Sequence, residues 1–389
     1  MPGADGHLAP GFETVGDAFA ANFAAGLDVG ACFAVVRDGQ LVVDLWGGHA
    51  DEARTRPIER DTLINIWSVS KGVTATCIAL LVEQGKLDYE EKVTRYWPEF
   101  GANGKDQVTL AQLMSHQAGV PGVREAITVE DYYAHDRLAR LLAEEKPFFE
   151  PGSTWGYHTL SLGTLADEVI RRVDGRTAAL FLKEEIAARF DLDVHMGVSD
   201  ADATRLSDMI APASQAAGDP APVLNEAAAR AAMANPALDA AWANTLPWQK
   251  AGLPAGGVSA NARGLAQLYG MLANGGSFDG IQFLSPATIS AATRERVSGV
   301  DQCLGNYRRY GAGYELSSQN RMGRNPNAFG HAGWGGSMAF ADPDEKLGIA
   351  FVVNQMRTGE PNAIDRRLAR LLAALYDAPA FTASEPRSP

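Results

Sequence analysis

Ile66-Trp67-Ser68-Val69-Ser70-Lys71-Gly72 is the stretch on which the reading of this chain turns. A strand-like run, Leu63-Ile64-Asn65-Ile66, gives way here to a helical pattern in which Val73, Cys77, Leu80 and Leu81 share a face and Gly85 suits the stop. A serine hydroxyl is a weak nucleophile at neutral pH and needs a base within hydrogen-bond reach. Residues i and i+3 lie on one helix face, so Lys71 can bring its amine towards the Ser68 oxygen. The free N–H groups of a first helical turn also favour negative charge on whatever Ser68 attacks. Alone the pattern is weak, because about one chance match is expected in a chain of this length. Ser68 to Lys71 is the only Ser-x-x-Lys in the sequence.

Working towards the N-terminus, residues 32–36 and 41–46 read as strands joined at Asp38-Gly39, a strong hairpin signal. Phe12, Val15, Phe19 and Phe23 recur at helical spacing before them, with Gly26 as the stop. Beyond Lys71 the chain reads as mostly helical: 110–116 capped by Thr109, then 129–145, 161–173 and 178–190. Residues 200–254, rich in Ala, Pro, Asp and Asn, read as long loops with short helices roofing a pocket, or equally as a surface excursion. Helix 261–272 follows, then a helix opened by Ser285-Pro286, strands over 310–316, 333–341 and 348–354, and a closing helix 364–376. The polar tail beyond Ala378 reads as disordered.

Strands at both chain ends with helices between them predict an α/β protein of the α+β type, its sheet mainly antiparallel and flanked by helices. Residues 1–67 and 255–378 would form one discontinuous α/β domain, 68–254 a helical domain with loops, and 379–389 a tail. The cleft between the two domains is the expected site.

Composition narrows the function. The chain has 389 residues, 46% of them hydrophobic, enough for a large core. Its net charge of −13 disfavours nucleic acid as a partner. No apolar run is long enough to span a membrane, and no basic-then-apolar leader is visible, so a cytoplasmic enzyme is the default. Cys32, Cys77 and Cys303 are scattered and read as buried thiols. No metal-binding His pair and no Gly-x-Ser-x-Gly elbow occur, so neither a metal nor an α/β-hydrolase site is expected.

Two further segments complete the pattern: Trp155-Gly156-Tyr157-His158-Thr159, which offers a phenol, and His331-Ala332-Gly333-Trp334-Gly335-Gly336. With Ser68-Val69-Ser70-Lys71 they stand in the order and spacing of the serine β-lactamase and penicillin-binding-protein superfamily. The chain resembles its class C-like branch, and within that the family VIII carboxylesterases, over roughly residues 27–375. The resemblance implies that Ser68 is the nucleophile forming an acyl-enzyme, that Lys71 helps remove its proton, and that Tyr157 shares the base role and protonates the leaving group. It implies an oxyanion hole from the backbone N–H groups of Ser68 and Trp334, with Thr159, His331, Gly333 and Trp334 lining the substrate site. No cofactor is implied.

The departures matter. Thr159 stands where the family has Asn, and His331-Ala332-Gly333 where it has Lys-Thr-Gly. Losing the Lys and Thr groups weakens β-lactam or peptide turnover and favours neutral esters; His331 could supply a donor and, below its pKa, some positive charge. A carboxylesterase acting on short-chain, small-molecule esters is the expectation. A β-lactamase, D-amino acid amidase or peptidase, or acyltransferase using the same site is the alternative, as is a non-catalytic penicillin-binding-like module. The sequence leaves homo-oligomerisation open.

Overall fold

The computed structural model describes residues 4–212, 223–358 and 362–382. Nine strands form one sheet, every neighbouring pair antiparallel. From edge to edge they are Asp5–Leu8, Gln40–Gly48, Gly30–Arg37, Leu347–Val353, Met338–Asp342, Phe329–Ala332, Glu315–Leu316, Tyr307–Tyr310 and Val297–Val300. The two chain ends therefore meet in mid-sheet, where Phe33 is paired with Phe351.

Alternation along the central strands explains the layering. Phe33, Val35, Phe340, Ile349 and Phe351 face one core, shared with helices Glu13–Ala24 and Arg366–Tyr376. Ala34, Ala339, Ala341 and Ala350 face the other, against helix Ala262–Ala273. Small residues on that side let the helix backbone come close: a Cβ on Gly348 would sit 2.1 Å from the Gly270 nitrogen.

Helix Val69–Glu83 buries 13 of its 15 residues, so it has no polar face and runs through the interior. It packs against strand Phe329–Ala332 and helices Ser161–Asp174 and Pro286–Thr293. A second, three-stranded sheet (Ile64–Asn65, Val258–Ala260, Val194–Met196) ties the approach to Ser68 to the segment after residue 254.

Several expectations are corrected. The run 129–145 is two helices, Val129–Ala134 and Asp136–Glu144, broken at His135 with φ 57°. Its imidazole meets Glu168 at 2.8 Å and Asp167 at 3.2 Å, so a tertiary contact overrides local periodicity. Residues 178–190 begin as helix Ala178–Phe181 and continue in wider π turns over Leu182–Ala187. The strand expected at 310–316 is a hairpin, bent at Gly311-Ala312-Gly313. The strand expected at 333–341 begins only at Met338, because Gly335 and Gly336 (φ 95° and 120°) form a turn. The tail is ordered at first: Pro379–Thr382 is a helical turn, and Phe381 packs edge-on to Phe12 and Tyr376. Residues 383–389 of that tail, and 213–222 of the loop-rich stretch, lie outside the described residues.

Candidate active site

Ser68 immediately precedes the buried helix. Trp67 before it has φ 47°, a strained value for a bulky residue. Its ring is held between Trp334 (5.0 Å) and Trp248 (5.4 Å), which fixes the turn that presents Ser68.

Lys71 is 1% exposed. Its Nζ lies 2.9 Å from Ser68 Oγ, 2.6 Å from the Thr159 carbonyl oxygen and 2.9 Å from that of Ala255. Burial holds its pKa well below the ordinary lysine range. A neutral amine has two N–H groups and one lone pair. The two carbonyls can only accept, so each takes an N–H group; in the neutral form the lone pair is then left facing the Ser68 hydroxyl. The segment that carries the Ala255 carbonyl is tied to the helix on both sides: Thr74 donates to Pro254 O at 2.7 Å, and Val258 N–H donates to Ser70 Oγ at 3.1 Å.

Tyr157 brings its phenol to hydrogen-bond Ser68, and its ring centroid lies 4.8 Å from Lys71 Nζ. Burial raises its pKa, so it is a neutral phenol at pH 7. Its backbone N–H donates to Asp301 Oδ1 at 2.9 Å, and its ring leans on His116 at 4.8 Å. The three side chains on which the sequence reading rested are thus in one place.

The remaining candidates are placed differently from expectation. Thr159 acts through its carbonyl; its hydroxyl points to Met233 Sδ at 3.0 Å. His331 Nδ1 lies 2.7 Å from Ala332 O and must carry the proton to donate to it. Burial pushes His331 down to about 4, so at pH 7 it is neutral and offers the site neither charge nor a second N–H. That corrects the expectation of a donor there: Nε2 is an acceptor, without a partner among the described residues. Gly333 packs so tightly that a Cβ would come within 2.5 Å of Ile66 O. The backbone N–H groups of Ser68 and Trp334 make no hydrogen bond among the described residues.

Ser68, Tyr157, Thr159, His331, Gly333 and Trp334 line one cavity of about 610 Å³. Met233, Ala237, Leu238 and Leu304 contribute apolar lining, and Asn306, Arg308, Glu315 and Arg321 contribute polar lining. The first three come from the stretch expected to roof a pocket. Sequence reading missed Asp301, which holds Tyr157, and the carbonyl of Ala255; no side-chain pattern marks either. Among the described residues no cluster of metal-ligating side chains occurs, and no helix is long and apolar enough to cross a membrane.

A buried amine on a serine hydroxyl, at the junction of an antiparallel sheet and a helical region, defines the class. The chain belongs to the beta-lactamase family, whose model matches residues 19–374. It is 38% identical over 359 residues to the esterase/beta-lactamase LipL of Mycobacterium tuberculosis, covering 89% of this chain and 82% of that one. It superposes on a family VIII carboxylesterase with a TM-score of 0.90 at 41% identity, covering 96% of this chain and 99% of the other. A penicillin-binding-protein homologue from Caulobacter crescentus gives 0.88 at 38% identity, with 96% and 99% covered.

Proposed function

We propose that this protein is a serine carboxylesterase that cleaves short-chain esters through an acyl-enzyme on Ser68. The observation that carries the reading is the buried Lys71 amine, its pKa held well below the ordinary lysine range, 2.9 Å from Ser68 Oγ and within hydrogen-bond distance of two carbonyls.

In acylation, Ser68 Oγ bonds to the ester carbonyl carbon as its proton passes to the Lys71 lone pair. The carbonyl oxygen becomes an oxyanion, met by the N–H groups of Ser68 and Trp334. The C–O bond to the alcohol then breaks, and the proton reaches the leaving oxygen from Lys71 by way of the Tyr157 hydroxyl. Deacylation runs the same transfers with water as nucleophile, Tyr157 and Lys71 taking its proton. Tyr157 serves as a relay and not as a standing phenolate, because its buried hydroxyl keeps its proton. His331 stands beside this path without charge.

The similarity to an esterase/beta-lactamase and to a family VIII carboxylesterase supports ester cleavage. The test is side-by-side turnover of p-nitrophenyl butyrate, a chromogenic cephalosporin and a D-amino acid amide by wild type, Ser68→Ala and Lys71→Ala. Ester turnover should dominate and vanish in Ser68→Ala with folding retained. Equal ester rates in wild type and Ser68→Ala would reject the proposal; faster cephalosporin or amide turnover would reassign the chemistry at the same serine.

A further inference from the structure

We propose that Met233 determines which esters this protein accepts: it bounds the space that receives the acyl group, so the preferred acids are short and aliphatic, and trimming its side chain admits longer ones. The inference rests on the esterase reading above and names the residue that sets its substrate class.

Met233 ends helix Glu226–Met233 and lines the cavity that holds Ser68. The segment that carries it is fixed at several points. At the start of the helix, the Asn225 N–H donates to Gln302 O at 3.0 Å, and Asn225 Nδ2 donates to Phe148 O at 3.0 Å. Further along, the helix seats on Gly122, where a Cβ would come 2.1 Å from Ala231 O. Just past the helix, Asn235 Nδ2 donates to Val123 O and Glu125 O, both at 2.8 Å, and Asn235 Oδ1 accepts from the Ile127 N–H at 3.2 Å. The backbone is thus held on both sides of Met233, whose unbranched side chain can still adapt to what it meets.

That side chain ends at Thr159. Thr159 Oγ1 donates to Met233 Sδ at 3.0 Å, while the Thr159 carbonyl takes Lys71 Nζ at 2.6 Å. A single residue therefore separates the thioether from the amine that faces Ser68 Oγ, and a chain bound there reaches Met233 after few carbons. With its hydroxyl proton committed to sulfur, Thr159 has no donor left for a polar acyl substituent. Leu304 packs against the same Ala228, Ala232 and Cys303 as Met233, and it too lines the cavity. The alcohol half of the ester has a different setting. Its oxygen takes a proton from Tyr157, and the charged lining residues Asp301, Arg308 and Glu315 act on that phenol. Burying an aliphatic chain among them would strip water from charged groups and replace none of its hydrogen bonds. The acyl group, which stays on Ser68, is left the apolar lining with Met233 as its boundary.

Two substrate series separate the halves: p-nitrophenyl acetate to octanoate, which vary the acyl chain, and ethyl to octyl butyrate, which vary the alcohol. kcat/KM is measured for wild type, Met233→Ala and Met233→Leu, with folding checked by thermal unfolding. Met233→Ala removes every atom beyond Cβ and opens room for about three chain carbons. Each further methylene buried is worth ~4-fold, so the octanoate-to-butyrate ratio should rise at least ~10-fold. Met233→Leu refills the space and should bring that ratio to within ~3-fold of wild type. The alcohol series should keep its profile in all three proteins. Should Met233→Ala misfold, wild type alone decides: kcat/KM should fall beyond a short acyl chain and show no such limit along the alcohol series. An unchanged ratio in folded Met233→Ala, a shift in the alcohol series instead, or a wild-type acyl profile without a limit overturns the proposal while ester turnover stands. No turnover of any of these esters by wild type overturns the esterase reading and the proposal with it.

Discussion

Gly333→Ala tests whether the turn carrying Trp334 must sit where it does. The added Cβ would lie 2.5 Å from the Ile66 carbonyl oxygen, whereas ordinary contact begins at 3.4 Å. The shortfall is ~0.9 Å, and the methyl cannot slide aside: Val69 Cγ2 stands at 3.3 Å and Ser337 O at 3.4 Å. The Gly333–Trp334 segment must move away from the Ile66–Ser68 segment, and the two unpaired N–H groups move apart with it. A misplacement near 1 Å costs ~10²-fold in rate, and loss of one oxyanion donor about 10²–10³-fold. We expect kcat on p-nitrophenyl butyrate to fall ~10²-fold, about 2.7 kcal/mol of transition-state stabilisation, with KM little changed. Overpacking should also cost roughly 1–3 kcal/mol of stability, so thermal unfolding is measured in parallel and rates are referred to serine titrated with a fluorophosphonate. A folded variant with kcat within ~2-fold of wild type would refute the reasoning, since the shift is set by contact and the rate by the shift.

Three other perturbations follow. Tyr157→Phe keeps the backbone bond to Asp301 but loses the hydroxyl at Ser68, so kcat/KM should drop ~10²–10⁴-fold with the circular dichroism spectrum unchanged. His331 titrates near 4 in the folded protein against 6.5 ordinarily, so the unfolded chain takes the proton first and stability is lost as pH falls from 6.5 towards 4. His331→Gln should therefore gain about 3 kcal/mol on wild type between pH 7 and pH 4 in urea unfolding; a constant gap would show that the imidazole is not held neutral. Phe381→Ala removes a ring packed on Phe12 and Tyr376, and should cost about 3 kcal/mol in unfolding while leaving kcat untouched.

What the sequence discloses is what repeats or what chemistry singles out. Ser68, Lys71 and Tyr157 are legible because a nucleophile needs a base and a proton donor, and few residue types serve. The central strands are legible because Cys32 to Val36 is an unbroken apolar run, buried on both faces of the sheet. The carbonyls that hold Lys71 are not, since any residue at 159 or 255 carries one. His135 breaks a helix only because Asp167 and Glu168 wait across the fold. Glycine-rich stretches mislead in a further way: the turns at 311–313 and 333–337 are flanked by strand residues, and only φ values separate bend from strand. Arg308, Glu315 and Arg321 sit on two strands and a loop, with no spacing to announce that they meet.

The central claim is that an ester's acyl group passes through Ser68. Acid-quenching p-nitrophenyl butyrate turnover in the steady state and mapping the adduct by peptide mass spectrometry tests it most directly. The account predicts a butyryl group on the peptide that begins the buried helix, located at Ser68, and none in Ser68→Ala. Butyryl found on another side chain of an active enzyme, with Ser68→Ala as fast as wild type, would contradict it.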